Sequence, residues 1–524
     1  MENQKINRTF RLQILTFFIL LFAAGYSGAQ VDSLTAKLNQ IKSLRSAVGM
    51  SVAVIKGDSI VYSKGFGLRD VTRNLPADDS TVYRIASISK MVTATALMTL
   101  NDQGWINLDA DISNYLGFTL RNPNFPNDII TTRMVLSHTA GLRDGTGYDG
   151  FLNATYNQSP PPHLKSLLQS GGQYYTANMW SSTLRPSANY FSYANINFGV
   201  IGTIIENISG QRFDIFCRDN VFIPLGIDGG FNVRNVANVN NVAVLYRKSG
   251  GSWVPQTDNY QGAYPPAPNL SNYVIGTNGV IFAPQGGVRT SVNGLAKFMI
   301  MHMNGGVLNE ARLLSDSSAA MMQNPRWVYN GSNGFNYYGI FNAYGLGCSR
   351  TADLLPGETL YGHPGEAYGL ISDLYFSKVK DYGIIFMTNG AIWGSGTYSG
   401  WYNMEEEVFK ACLSELPDLV TSAEEKSEAA NTAPLTISAH PNPLRLNSEA
   451  EEITFTISGS SKKSGISRLQ IINVLGQQID EIRVEINGNG KQEILYPARK
   501  LARGVYFCAY FEENKVKAVK LILE

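Results

Sequence analysis

The chain has 524 residues, a formal net charge of +1 at pH 7, and a 16% share of charged residues. This length is enough for two or more domains with sizeable cores. A net charge so close to zero excludes the strongly basic chemistry on which nucleic-acid binding depends, so we expect no nucleic-acid partner.

Residues 1–29 are predicted to be a signal peptide. Basic residues precede an apolar run at 12–24, and small residues at 27–29 offer a cleavage site. The apolar run is too short to span a bilayer comfortably, which favours a cleaved signal over an uncleaved anchor. We therefore expect export through the periplasm and no membrane span in the mature chain.

A helix and a hairpin are predicted next. The helix covers about 33–44, and two apolar runs at 49–55 and 59–67 follow it. The Lys56-Gly57-Asp58 turn between these runs indicates an antiparallel hairpin. A long apolar helix then begins near Ser87.

Ser87 and Lys90 are the first candidate catalytic residues. Residues three apart share one face of a helix, so Lys90 should lie beside the Ser87 hydroxyl. A serine becomes a good nucleophile when a neighbouring base takes its proton, and a lysine with a lowered pKa can be that base. The Ser-x-x-Lys pattern alone is weak, because it also occurs at 377–380 and 460–463.

Two further motifs follow in chain order. Tyr193-Ala194-Asn195 lies in a middle region of helices and loops, and His363-Pro364-Gly365 opens a region of strand character. Strands at both ends of this part of the chain, with helices between them, predict one antiparallel sheet built from both termini.

Ser87-x-x-Lys90, Tyr193-x-Asn195 and His363-x-Gly365 in this order resemble the motifs of the serine β-lactamase-related superfamily. That superfamily includes DD-peptidases, class C β-lactamases, D-aminopeptidases and esterases. The resemblance covers about residues 33–412. It implies an α+β hydrolase domain at 30–415, with an antiparallel sheet flanked by helices, a helical lobe, and an active site between them.

The resemblance implies a catalytic role for three residues. Ser87 would be the nucleophile that carries the acyl group, and Lys90 and Tyr193 would transfer protons. Which of these two takes the serine proton is left open. No metal or other cofactor is expected, since Cys217, Cys348, Cys412 and Cys508 show no ligand spacing and fit buried free thiols.

Four further residues are expected to bind substrate. Asn195 resembles the family's amide ligand and lysine positioner, and His363 occupies its Lys/His position. The oxyanion hole would combine the N–H groups of Ser87 and Glu366, and Gly365 would let substrate approach the strand closely.

The sequence departs from the family pattern at Pro364. A Thr or Ser commonly stands there and binds the substrate carboxylate through its hydroxyl, which proline lacks together with the N–H. A histidine at 363 is also mostly neutral at pH 7. Glu366 also adds a carboxylate beside the site. These changes weaken the case for a β-lactamase or a DD-carboxypeptidase, and they leave ester, amide or D-amino-acyl substrates open, including substrates with a free amine.

The resulting hypothesis is a secreted serine hydrolase that works on a small-molecule or peptide substrate through a Ser87 acyl-enzyme. The alternatives are a β-lactamase or DD-carboxypeptidase, a non-catalytic penicillin-recognising module, and an adhesion protein on an inactive hydrolase fold. The presence of Ser87, Lys90 and Tyr193 together argues against the last of these.

A linker at 416–435 is predicted from its small, polar, aromatic-free composition. Alternating strand patterns at 436–524 then indicate a small β-sandwich. This module resembles the C-terminal sorting domain of the bacterial type IX secretion system, through 440–443, 474–477 and 501–506. A generic adhesion or carbohydrate-binding sandwich is the alternative. The resemblance implies the type IX machinery as a partner and a secreted or cell-surface location.

Overall fold

The computed structural model describes residues 28–186, 189–419, 436–442, 444, 452–458, 465–473, 477–486, 491–512 and 515–523. Most of the predicted signal peptide and of the predicted linker lies outside these residues. The chain divides into two compact units, Met1–Val420 and Thr421–Glu524.

The first unit holds helices that differ widely in length. In chain order they are α1 Gly28–Leu44, α2 Ser89–Asp102, α3 Ser113–Leu116, α4 Thr132–Leu136, α5 Tyr148–Asn157, α6 Lys165–Leu168, α7 Ile196–Ser209, α8 Phe213–Cys217, α9 Val292–Met303, α10 Asp316–Gln323 and α11 Asn403–Glu415.

Its strands are concentrated near the two ends of the unit. They are β1 Gly49–Lys56, β2 Ser59–Asp70, β3 Leu75–Pro76, β4 Tyr83–Arg84, β5 Gly229–Gly230, β6 Leu245–Ser249, β7 Ser252–Thr257, β8 Arg289–Thr290, β9 Val307–Leu308, β10 Ala311–Arg312, β11 Trp327–Val328, β12 Ala343–Tyr344, β13 Ser349–Thr351, β14 Leu360–Ala367, β15 Leu370–Ser377 and β16 Tyr382–Thr388.

The main sheet joins the first and last strands of the unit. Among the described residues it has nine antiparallel strands in the order β11-β12-β13-β14-β15-β16-β1-β2-β3. The predicted hairpin is β1–β2, and β16 pairs with β1 so that Met50 lies opposite Thr388. This confirms the predicted antiparallel sheet built from both termini.

Alternation along β1 explains why both faces of the sheet are covered. Val52 packs in one apolar cluster with Leu38 of α1 and Phe409 of α11. Its neighbour Ala53 points to the other face and packs in a second cluster that contains Leu97 of α2. The middle strands are therefore buried on both sides, and α2 lies between the sheet and the helical lobe.

The start of α2 differs from the sequence prediction. Ser87 lies in a short 3-10 turn, Ala86–Ile88, and the α-helix itself begins at Ser89. Ala86 has a φ of 44°, in the left-handed region that a non-glycine residue seldom adopts. This backbone conformation turns the chain sharply just before the serine and separates Ser87 from the regular helix.

The second unit contains two small antiparallel sheets. Its strands are β17 Thr436–His440, β18 Glu452–Ser458, β19 Gly465–Asn473, β20 Gln478–Ile486, β21 Lys491–Pro497, β22 Gly504–Glu512 and β23 Lys515–Leu523. In the described part of this unit the strand orders are β17-β18-β21 and β20-β19-β22-β23. Phe455 and Tyr496 of one sheet share an apolar cluster with Leu469 and Cys508 of the other. The predicted small sandwich is confirmed. Residues 443 and 474–476 of the sorting motifs lie outside the described residues.

Three further observations concern the cysteines, membrane-spanning helices and groups of metal-binding side chains. Cys217, Cys348, Cys412 and Cys508 are buried free thiols, as the sequence predicts. Within the described ranges, no helix combines the length and the hydropathy needed to cross a membrane. The same residues contain no group of three or more His, Cys, Asp or Glu side chains able to hold a metal ion.

Candidate active site

The site forms where β14 passes the Ser87 turn. The neighbouring β13 pairs with β14 only as far as Gly362, so the edge of β14 beyond that residue is open to the turn. A Cβ atom added to Gly365 would lie 2.5 Å from the Ile85 carbonyl oxygen and 3.3 Å from the Ala86 Cβ. Glycine at this position thus lets the turn pack against the strand. The close neighbours in the structure are therefore the protein's own atoms, with Ser372 Oγ nearest to the added Cβ atom, instead of the substrate that was expected there from the sequence.

Lys90 connects the candidate catalytic groups. Its side chain is fully buried, and its Nζ donates hydrogen bonds to Ser87 Oγ at 2.9 Å and to Asn195 Oδ1 at 2.8 Å. A further bond at 2.9 Å reaches the Gln285 carbonyl oxygen, a contact that no sequence motif predicted. The predicted proximity of Lys90 and Ser87 is present despite the 3-10 turn between them.

The environment of Lys90 favours its neutral form. Burial lowers the pKa of Lys90 to about 7, and the charge of Asp144 opposes this shift only in part. A group with this pKa is about half deprotonated at neutral pH. A neutral Nζ at hydrogen-bond distance from Ser87 Oγ can accept the hydroxyl proton.

The pKa of Tyr193 is shifted in the opposite direction. Burial raises its pKa far above the ordinary value for tyrosine, although a hydrogen bond with the Ser87 side chain favours the ionised form. The Tyr193 ring also lies close to the lysine, with Nζ of Lys90 4.8 Å from the ring centroid. The phenol therefore stays protonated and can donate a proton or a hydrogen bond near Ser87.

Asp144 orients Asn195, and sequence reasoning missed it. Its carboxylate accepts hydrogen bonds from the Asn195 backbone N–H at 2.8 Å, from Asn195 Nδ2 at 3.0 Å, and from the Ile196 backbone N–H at 2.9 Å. These contacts satisfy the first N–H groups of α7 and turn Oδ1 of Asn195 towards Lys90. Asp144 lies on a loop about fifty residues before the helix it caps, so no local pattern could reveal it.

His363 does not line the site as the sequence analysis predicted. Its side chain is fully buried, and its Nε2 lies 2.9 Å from the Tyr344 hydroxyl. Its Nδ1 lies 2.6 Å from the carbonyl oxygen of Pro364, an arrangement that requires an N–H at this nitrogen. Burial and the nearby Lys90 lower the pKa of His363 to about 3, so the ring is neutral. The strand places this ring inside the protein, with its centroid 6.1 Å from that of the Tyr193 ring.

A cavity of about 650 Å³ opens at Ser87. Of the predicted residues, Ser87, Asn195 and Glu366 line it, whereas Lys90, Tyr193, His363 and Gly365 are not among the lining residues. Glu366 accepts a hydrogen bond from the Tyr402 hydroxyl at 3.0 Å, and partial burial raises the pKa of its carboxyl. Tyr402 had no signal in the sequence, because it lies on a distant loop before α11.

Two family models match the chain. The model described as Beta-lactamase matches residues 34–408. The chain belongs to the Beta-lactamase family. The model described as Secretion system C-terminal sorting domain matches residues 438–524, which confirms the second resemblance as well. This family member therefore carries a hydrolase-type fold followed by a sorting domain.

The curated relatives match about a third of the chain. Protein flp of Staphylococcus aureus strain N315 is 28% identical over 178 residues, which cover 34% of this chain and 33% of the relative. Penicillin-binding protein 4* of Bacillus subtilis strain 168 is 26% identical over 178 residues, which cover 34% of this chain and 36% of the relative. The matched region thus spans about a third of each relative's length.

Solved structures support the fold over a longer stretch. The octameric penicillin-binding protein homologue from Pyrococcus abyssi aligns with a TM-score of 0.54 at 19% identity, covering 94% of this chain and 96% of that one. The D-amino acid amidase from Ochrobactrum anthropi SV3 aligns with a TM-score of 0.51 at 18% identity, covering 74% of this chain and 99% of that one. At these identities the likeness shows the shared fold.

Proposed function

We propose that the protein is a serine hydrolase that cleaves ester or amide substrates through an acyl group carried on Ser87. The observation that carries this proposal is the 2.9 Å hydrogen bond between Ser87 Oγ and Lys90, whose pKa is lowered to about 7. Membership of the Beta-lactamase family supports the same reaction class. A merely structural lysine would gain little from complete burial beside a serine.

The proposed reaction begins with neutral Lys90. Its Nζ takes the Ser87 proton as Oγ attacks the substrate carbonyl, and the negative charge that develops is stabilised by the backbone N–H groups of Ser87 and Glu366. Tyr193, which stays protonated, donates a proton to the leaving group and recovers one through Lys90. Water then attacks the acyl-enzyme while Lys90, neutral again, takes a water proton through the Tyr193 hydroxyl. Lys90 returns a proton to Ser87 Oγ as the bond between Oγ and the acyl carbon breaks, and the acid product leaves.

Asn195 and Asp144 are assigned positioning roles in this proposal. Asn195 Oδ1 holds the Nζ of Lys90, and Asp144 keeps the amide in that orientation through Nδ2. Glu366 and Asn195 line the cavity and are the side chains proposed to contact substrate, whereas the His363 side chain is fully buried and is not among the lining residues.

Esters and amides are proposed as substrates in preference to β-lactams. The open edge of β14 offers no hydroxyl at Pro364, and the neutral ring of His363 supplies no charge. A β-lactam carboxylate therefore lacks two partners on this strand. The alternatives, β-lactamase and DD-carboxypeptidase, would need another anchor at the same place.

We expect wild-type protein to hydrolyse short-chain nitrophenyl esters faster than nitrocefin. Pro364→Thr should raise the nitrocefin-to-ester ratio of kcat/KM by roughly tenfold, the scale of one hydrogen bond to a charged group. Pro356→Thr, in an exposed loop, is the matched control and should leave the ratio unchanged. Assays with D-amino-acyl anilides test whether the enzyme also cleaves amides. Efficient nitrocefin turnover by the wild type would contradict the substrate proposal.

The sorting domain supports a proposal about location. We propose that a signal peptide and the type IX machinery carry the protein to the cell surface or the medium. In a host with this secretion system, the full chain should reach the surface or medium. A chain ending at residue 420 should hydrolyse esters yet stay in the periplasm. Finding the shortened chain outside the cell would refute the sorting role.

A further inference from the structure

A cluster of charged side chains lies beside Ser87 and takes no part in the proposed reaction. Arg84 and Arg289 face each other across β4 and β8, and both bind the carboxylate of Asp258. Arg84 donates to Asp258 at 2.8 and 3.1 Å, and Arg289 donates at 2.7 and 3.2 Å. The Tyr260 hydroxyl donates to the same carboxylate at 2.9 Å. Both carboxylate oxygens of Asp258 therefore accept their hydrogen bonds from within the cluster.

The cluster retains a positive charge. Both guanidinium groups are always protonated, and they hold the pKa of Asp258 well below its usual range, so two positive groups share one negative partner. The side chains of Arg84 and Arg289 are only 14% and 9% exposed. A buried charge without a counterion is costly, and an anion would remove this cost.

The excess charge faces the same cavity as the serine. Arg84 and Arg289 both line the cavity that opens at Ser87. Arg247, on β6, lines it too and forms no salt bridge with the described residues, although its charge acts on the Glu366 carboxyl. Against these groups the cavity presents the Glu366 carboxyl, whose pKa is raised by partial burial and lowered in part by Arg247. The net charge of these cavity-lining side chains is therefore positive.

We propose that the wall formed by Arg84, Arg289 and Arg247 binds a carboxylate on the substrate, so that the enzyme prefers anionic esters or amides. The inference rests on the proposed hydrolase function, since it assigns a substrate class to that site. The wall is separate from the Pro364 edge of β14, where a β-lactam carboxylate would need its partners. A cationic substrate would meet Glu366 but also the uncompensated arginines.

Matched ester pairs test this preference. The acyl pair is mono-4-nitrophenyl adipate against 4-nitrophenyl hexanoate, with 4-nitrophenyl 6-(trimethylammonio)hexanoate as the cationic member, and the rate without enzyme is subtracted for each. The leaving-group pair is 3-butyryloxybenzoate against 3-butyryloxybenzamide. In at least one pair the anionic ester should have a kcat/KM about ten times that of the neutral ester or more, as expected for a charged hydrogen bond.

Two variants tie the preference to the wall. Arg247→Gln should lower the anionic-to-neutral ratio by roughly tenfold, the scale of one charged hydrogen bond. Lys248→Gln is the matched control, because Lys248 is exposed, follows Arg247 on β6 and points to the opposite face of the strand. Arg84→Gln leaves Asp258 paired one-to-one with Arg289 and should also lower the ratio. The melting temperature of the Arg84→Gln variant shows whether the protein still folds.

The outcomes separate this inference from the proposed function. A ratio at or below one in both pairs, a preference for the cationic ester, or a ratio unchanged in both arginine variants overturns the carboxylate site. If Ser87→Ala abolishes hydrolysis of every ester while one of these outcomes is found, the hydrolase proposal stands and only the inference fails. If Ser87→Ala hydrolyses the esters at the wild-type rate, the proposed function itself fails.

Discussion

Replacing Ser87 with alanine is expected to abolish ester hydrolysis and labelling by a fluorophosphonate probe. The loss should be complete within detection, because no acyl-enzyme can form without the Oγ atom. The fold should survive, since the hydroxyl is half-buried and its recorded partners are Lys90 and Tyr193. A melting temperature within a few degrees of the wild type would show this.

The second Ser-x-x-Lys match provides the control for this variant. Ser377 accepts a hydrogen bond from the Lys380 backbone N–H at 3.3 Å, and Lys380 Nζ binds Glu358. The Lys380 ammonium group therefore bonds to Glu358 instead of the Ser377 hydroxyl, so Ser377→Ala should be labelled and active like the wild type. Labelling of the Ser87→Ala protein would place the nucleophile at another residue.

Removing either proton-transfer group should slow acylation by about 10²-fold or more, the usual scale for general acid–base catalysis. Lys90→Ala removes the proposed base, and Tyr193→Phe removes the phenol that donates to the leaving group. Single-turnover rates with a nitrophenyl ester measure acylation directly. Near-wild-type rates in both variants would contradict the proton-transfer roles.

The pH dependence separates Lys90 from a purely structural residue. A base with a pKa of about 7 is inactive when protonated, so wild-type acylation should rise as the pH passes through 7 and then level off. Lys90→Ala should lose this inflection along with its rate, whereas Lys380→Ala should keep both. A Lys90 variant that is slow but keeps the inflection would assign the titration to another group.

Local sequence patterns predicted the elements that depend on neighbours in the chain. The β1–β2 hairpin follows from two apolar runs around a Gly-containing turn, and the nearness of Ser87 and Lys90 follows from their spacing. The family motifs added Tyr193 and Asn195, which the fold brings to the same lysine. In each case the predicted relation depends on a short stretch of sequence or on a motif with a recognisable form.

The remaining features depend on contacts between distant segments. Asp144 caps a helix on another part of the chain, and Arg289 meets Arg84 only after β4 and β8 pair. The burial of His363 depends on its contact with Tyr344, which requires the strand register. Ala86 adopts a left-handed φ although its side chain gives no sign of it. Such relations become visible only when the sheet order is known.

The pairing of β1 with β16 constrains how this unit can fold. Met50 finds its partner Thr388 only after nearly the whole unit has been synthesised. Contacts between such distant residues form slowly, because a long loop must close before any of their stabilising energy is gained. Until then the backbone edge of β1 that faces away from β2 has no partner strand. We therefore expect closure of the sheet, rather than formation of the helices, to set the folding rate of this unit.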